Sequence, residues 1–220
     1  MLVLVCCSRL WSRNLSLRDK IMLEHIPSLD NLLKSLQQVP YLASKNLNRV
    51  ATHFLNMDEK HLEKFCAILL ASKKNVLRCK ACFSWKERAK ECLFCSDSKR
   101  DQSLVCVVET WQELLTIEKT GGYGGVYHVL CGVICPLEGI GPEDLTITDL
   151  VKRVDAGVKE IILATNQTPE GEATCAYIAR KLKEKSVTLS CLARGIPVGS
   201  SLEFMDRLTV FKAISERRPF

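Results

Sequence analysis

The chain has 220 residues, a formal net charge of +6 and 12 cysteines. No apolar run approaches the ~18 residues of a membrane-spanning helix, and the length suffices for one large or two small domains with a real core. The cysteines outside one cluster are scattered, mostly inside apolar runs, as small buried side chains are in a reducing compartment.

Residues 1–21 open with a short apolar stretch, Met1 to Cys7, followed by Arg9, Arg13 and Arg18. The stretch is too short for a secretory signal and no basic segment precedes it. Residues 1–21 are therefore expected to be a non-native or disordered extension ahead of Met22. From there, residues 22–76 show three helical stripes: Leu29, Leu32, Leu33 and Leu36; Leu47, Val50, Ala51 and Phe54; and Leu62, Phe65, Cys66 and Leu69. Each repeats at i, i+3, i+4, i+7. Ser28 and Ser44 stand where N-caps are expected, and the third helix should follow Asp58.

The first two stripes are joined through Pro40-Tyr41-Leu42-Ala43. Helix, short hairpin and a second helix opening with Lys45 resemble a helix-hairpin-helix, which offers backbone N–H groups to a DNA phosphate without reading sequence. Such hairpins carry glycines, and Tyr41 and Ala43 stand in their place. Lys45 and Arg49, one helical turn apart, can still meet a phosphate backbone. An ordinary helical hairpin is the alternative.

Residues 77–98 hold Cys79, Cys82, Cys92 and Cys95, spaced Cys-x2-Cys-x9-Cys-x2-Cys. Two such knuckles supply four thiolates to one tetrahedral metal, and the predicted cofactor is one structural Zn²⁺ with no open position for catalysis; two disulfides or free core thiols are the alternative. The remaining cysteines, Cys6, Cys7, Cys66, Cys106, Cys131, Cys135, Cys175 and Cys191, are predicted to be buried. Residues 1–100 carry 18 Lys and Arg against 9 Asp and Glu, and residues 101–220 carry 13 against 16. The basic half suits nucleic-acid phosphates, and a solvated lysine-rich face is the alternative.

The remainder reads as an α/β domain over residues 102–198, with strands at 104–108, 160–164 and 187–192. A helix between the last two carries Cys175, Ile178, Ala179 and Leu182 on one face. Strand–helix–strand alternation predicts a parallel sheet. His128 is predicted to pack in that sheet, His25, His53 and His61 to sit at the surface, and Gly121–Gly125 to be a flexible connection. No Gly-x4-Gly-Lys-Ser/Thr loop is present, so no nucleotide hydrolysis is expected.

Residues 163–173, Leu-Ala-Thr-Asn-Gln-Thr-Pro-Glu-Gly-Glu-Ala, resemble the Toprim fold of topoisomerases and primases. Catalytic members bind magnesium through a glutamate after the first strand and an Asp-x-Asp after a later one. Glu109 matches the glutamate, while Asn166 and Thr168 stand at the two aspartates. Neither is a hard anionic ligand for Mg²⁺, so two-metal catalysis is expected to be disabled.

The order of helical hairpin, four-cysteine module, Toprim-like domain and short C-terminal segment (199–220) resembles the bacterial RecR family of recombination mediators. Further strings carry the likeness over residues 22–218: Tyr127-His128-Val129-Leu130, Pro136-Leu137-Glu138-Gly139-Ile140-Gly141-Pro142, Glu170-Gly171-Glu172-Ala173-Thr174 and Ala193-Arg194-Gly195-Ile196-Pro197-Val198-Gly199. The missing hairpin glycines, Cys131 and Cys135 in place of small residues, and Ser200-Ser201 depart from the pattern.

The resemblance implies a non-enzymatic, cytoplasmic, nucleoid-associated protein that assembles into ring-like dimers or tetramers. It implies binding to single- and double-stranded DNA without sequence specificity. Its implied partners are RecO and, in many bacteria, RecF, and its task is to help load RecA onto single strands for recombinational repair. It also implies that Lys45 and Arg49 face DNA, and that Glu109, Glu170 and Glu172 line an acidic surface for a basic partner or a weakly held metal. Asp206 would fall in a Walker-B-like segment that also serves oligomer contact. Two alternatives remain: a Toprim phosphoryl-transfer enzyme acting as nuclease or primase, and a zinc-bearing protein adaptor without DNA contact.

Overall fold

The computed structural model describes residues 25–193, 195–197 and 199–215. The extension 1–21 and, within the string at 193–199, Arg194 and Val198 lie outside the described residues. The chain divides into two compact units, Met1–Ser72 and Lys73–Phe220.

In the first unit, helix α1 spans Pro27–Gln37 and α2 spans Ser44–Leu55. Pro27, whose ring pre-sets a helical φ, takes the first helical position, so the N-cap is Ile26 and not Ser28. Ser44 is likewise already helical; Ala43 occupies the cap with no side-chain bond. The stripes pack as predicted: Leu33, Leu47 and Ala51 are buried together, with Leu29, Leu32, Leu36 and Leu42 around them. Helix α3, Glu59–Asn75, begins after Asp58 as expected. Its 17 residues are all at least partly open, and Phe65, Ile68, Leu69 and Leu70 are exposed. Its last residues belong to the second unit.

The second unit opens with an antiparallel hairpin of β1 (Val76–Arg78) and β2 (Trp85–Glu87). Next come β3 (Asp101–Val108), α4 (Trp111–Glu118) and β4 (Gly125–Val129). After two single 3-10 turns follow α5 (Ile147–Asp155), β5 (Glu160–Leu163), α6 (Pro169–Leu182), β6 (Thr188–Cys191) and α7 (Arg207–Ser215). Strands β3 to β6 form a wholly parallel sheet in the order β4-β3-β5-β6, so the predicted α/β class holds. Gly125 belongs to β4 rather than to a flexible connection; a Cβ there would lie 2.6 Å from the Leu104 carbonyl oxygen, so close strand approach requires glycine.

Burial on both faces makes Val105–Val108 a continuous apolar run, as parallel strands require. On one face Val105, Val107, Val126, Ile161 and Leu163 pack with Leu150 and Val154 of α5 and with Ile178 and Leu182 of α6. On the other, Cys106, Val108, Tyr127 and Val129 pack with Leu114 of α4 and with Cys79, Cys82, Cys92 and Phe94. The cysteine module is thus part of the layer that covers the second sheet face.

Cysteine burial is only partly as predicted. Cys106 is buried and Cys131, Cys135 and Cys175 are half-buried, but Cys66 and Cys191 are exposed. Cys66 lies on α3, and Cys191 ends the edge strand β6. Cys6 and Cys7 lie outside the described residues.

Candidate functional site

Three places hold the residues singled out in the sequence: the sulfur cluster, the carboxyl ends of β3 and β5, and the exposed side of α2. At the first, Cys79 follows β1 and its N–H donates to the Ser84 carbonyl (2.7 Å), while the Phe83 N–H returns to the Cys79 carbonyl (3.0 Å). Phe83 adopts φ +61, which turns the chain back within the knuckle. The second knuckle closes through the Ser96 N–H and hydroxyl, both donating to the Cys92 carbonyl (3.0 and 2.6 Å).

The four sulfurs lie within 4.8 Å of one another, with Cys79 and Cys95 at 4.0 Å and Cys82 and Cys92 at 3.5 Å. A tetrahedron with metal–sulfur bonds of about 2.3 Å has edges of about 3.8 Å, so these residues fit one metal ion. The buried Ser84 hydroxyl lies 3.0 Å from Cys82 Sγ and 3.5 Å from Cys92 Sγ, and can donate to a thiolate. Sharing protons among crowded sulfurs separates their acidities. The Cys92 thiol is driven far below its usual range by its bond with Cys82, and Cys82 is pushed up to about 12 by the same bond.

Much of the basic charge beside the module binds the protein itself. Arg78 donates to the Phe83 carbonyl (3.2 Å) and Cys131 Sγ (2.8 Å), with its guanidinium 4.4 Å from the Trp85 ring centre. Arg88 donates twice to the Lys74 carbonyl, and Lys86 to that of Lys90. Arg100 pairs with Glu118. His128 is buried in the sheet as predicted. Its Nε2 lies 2.9 Å from Thr146 Oγ1, and burial drops its pKa to about 4, so it is neutral.

The strand order reverses between β3 and β5, and the carboxyl ends at such a reversal are where open parallel sheets bind ligands. Glu109 follows β3 and is buried. Its two oxygens accept from Asn166, Oε1 from the backbone N–H (2.6 Å) and Oε2 from the side-chain amide (2.8 Å). The same amide reaches Glu113 Oε1 at 3.4 Å. Glu113 also completes the capping box of α4 with Thr110. Burial raises its pKa, but the hydrogen bonds from Thr110 and Asn166 outweigh that and hold it below the usual range.

Thr168, at the second aspartate position, caps α6 by accepting from the Gly171 N–H (3.1 Å). A Cβ on Gly171 would lie 2.9 Å from Glu109 Oε1 and closer still to the Asn166 carbonyl, so only glycine fits. Glu170 is half-buried at the start of α6, and Glu172 pairs with Lys212 of α7 at 2.8 Å. Asp206 caps α7, accepting from the Leu208 and Thr209 N–H groups (3.0 and 2.9 Å). Among the described residues, only the four cysteines form a group of three or more ligand-type side chains close enough to share a metal. Glu109, Glu170, Glu172 and Asp206 are not gathered in that way.

On α2, Lys45 and Arg49 are exposed and lie opposite the buried Leu47 and Ala51. Among the described residues neither stands in an ion pair. Tyr41, at the hairpin tip, holds φ +66, the left-handed backbone that a glycine would supply there.

Sequence reasoning missed three residues of these sites: Ser84 beside the sulfurs, Glu113, and Asn166 as the partner of Glu109. Thr110-x-x-Glu113 is a readable capping box. The Asn166–Glu109 contact joins residues 57 apart and leaves no local signal.

Comparison with known sequences accords with this arrangement. Residues 103–193 match the Toprim domain family, and residues 195–218 match the family described as RecR, C-terminal. The chain is 40% identical to the recombination protein RecR of Syntrophobacter fumaroxidans, over 88% of this chain and 96% of that protein. It is 40% identical to that of Chlorobaculum parvum and 41% identical to that of Chlorobium phaeobacteroides, over 86% of this chain and 96% of each relative. The chain belongs to the RecR family.

Proposed function

We propose that this RecR-family chain is a DNA-binding recombination mediator in recombinational repair. It acts with a RecO-type partner, and with RecF where present, to load RecA onto single-stranded DNA. The observation that carries the reading is likeness over nearly the full length of relatives named as recombination proteins. The exposed cations Lys45 and Arg49 on α2 supply a sequence-independent phosphate contact. The metal is one Zn²⁺ per chain, because four thiolates at tetrahedral spacing suit a soft, closed structural site. It orders the module and takes no part in chemistry.

The protein is not an enzyme on this reading. Mg²⁺ demands hard oxygen donors, and Asn166 offers an amide where a carboxylate is required, with its N–H groups already occupying both oxygens of Glu109. Glu170 and Glu172 would then face a basic partner. Ring-like oligomers, with exposed Phe204 and Phe211 beside Asp206 as a contact, and a cytoplasmic location complete the proposal.

The test incubates the full chain with labelled single- and double-stranded DNA in Mg²⁺ or Mn²⁺, and resolves each sample on native and denaturing gels. A salt-sensitive shift with intact strands is expected. Strand cutting abolished by Glu109→Ala would replace this reading with the Toprim nuclease. Absence of both would favour the adaptor.

A further inference from the structure

The hairpin between α1 and α2 carries an aromatic ring at its tip. Tyr41 is fully exposed, whereas its neighbour Leu42 packs inward on the helical core. The ring therefore contributes nothing to burial, and it sits on a left-handed backbone that disfavours every residue with a Cβ. Four and eight residues later stand Lys45 and Arg49, both exposed, on a helix with no acidic residue in its sequence.

An open aromatic face followed by exposed cations matches single-stranded nucleic acid: an unpaired base stacks on the ring while its phosphates meet the cations. A duplex keeps its bases stacked inside and offers the same surface only phosphates. We infer that Tyr41 stacks on an unpaired base of a DNA strand whose phosphates contact Lys45 and Arg49, which gives the hairpin a preference for single over double strands. This rests on the reading of α2 as a DNA-contacting helix.

The full chain is titrated against labelled single strands and duplexes by fluorescence anisotropy, and against a single strand carrying 2-aminopurine, whose emission falls on stacking. Tyr41→Ala is expected to weaken single-strand binding by about 5- to 150-fold and to remove the quenching, while duplex binding changes by less than about 2-fold. Tyr41→Phe should bind as the parent does. Tyr41→Gly keeps the turn and removes the ring, so it should lose as much as Tyr41→Ala. Single-strand affinity unchanged in Tyr41→Gly, or equal losses on both DNA forms in Tyr41→Ala, would overturn the inference. Lys45→Ala with Arg49→Ala tests the underlying reading separately, because it should weaken both forms. A loss there with Tyr41→Ala silent overturns only the role of the ring, and no loss there overturns the DNA-contacting helix itself.

Discussion

Asn166→Asp converts the amide that serves Glu109 into a carboxylate. In the structure Asn166 Nδ2 lies 2.8 Å from Glu109 Oε2, and Glu109 is buried. Two unit charges at that separation repel by about 6 kcal/mol at an effective dielectric of about 20. The pair escapes most of this by moving apart or by binding one proton, as paired carboxylates do, which leaves a net loss of about 2–4 kcal/mol at neutral pH. The loss should shrink as pH falls and one carboxyl protonates.

A divalent cation should reverse it, because two carboxylates now supply hard donors; at a concentration 100 times its Kd, a bound ion restores about 2.7 kcal/mol. For a chain of this size each kcal/mol moves the Tm by about 2–4 °C. The assay is thermal unfolding of the parent and of Asn166→Asp, with and without Mg²⁺ or Mn²⁺, repeated with Thr168→Asp added. Thr168 caps α6, a position that aspartate also fills well, so the second change should add a ligand at little cost. An Asn166→Asp protein as stable as the parent at pH 7, or one whose loss no divalent ion relieves, would refute this account of Glu109 and Asn166.

Three further outcomes follow from the geometry. Cys82→Ser, or chelation of the parent, should lower the Tm by well over 10 °C, and metal analysis of chelator-free protein should give close to one zinc per chain. Far less than one zinc would reject the site. Lys45→Ala with Arg49→Ala should reduce the slope of log affinity against log salt on single strands by about 1.4, two contacts at about 0.7 each. For His128, the folded pKa of about 4 lies below the unfolded value of about 6.5, so the unfolded chain binds more protons between them. Its contribution is therefore complete above pH 6.5 and is lost as pH falls toward 4, by roughly 3 kcal/mol in all; His128→Gln should unfold with a shallower acid dependence in urea titrations across that window.

What the chain declares locally was legible. The leucine stripes of α1 and α2, the apolar run of β3 and the cysteine spacing each follow a short period or a fixed ligand interval, and each forms as read. The cap of α1 is Ile26 because Pro27 favours the first helical turn more strongly than Ser28 favours the cap; nothing in the structure explains why Ala43 rather than Ser44 caps α2. Strand β4 begins inside a glycine run that masks its period, and α5 offers only the short stripe of Ile147, Leu150 and Val154. Cys66 was expected inside because its helix has an apolar row, yet nothing in periodicity says whether such a row meets a partner. The bond between Glu109 and Asn166 exists only because β3 and β5 are neighbours in the sheet, and the sequence separates them by a helix, a strand and a second helix.

The place of the sulfur cluster has a consequence for how the molecule is made. Cys79–Cys95 leave the ribosome before any strand of the parallel sheet, and N-terminal units tend to fold first during synthesis. A metal captured at that stage would fix Phe94 and the buried sulfurs as a prepared surface, on which Cys106, Val108, Tyr127 and Val129 can settle as they emerge. In a cell short of the metal, the nascent sheet would lack part of the cover of one face, and the apolar side chains left bare there would be open to chaperones and proteases before the chain was finished.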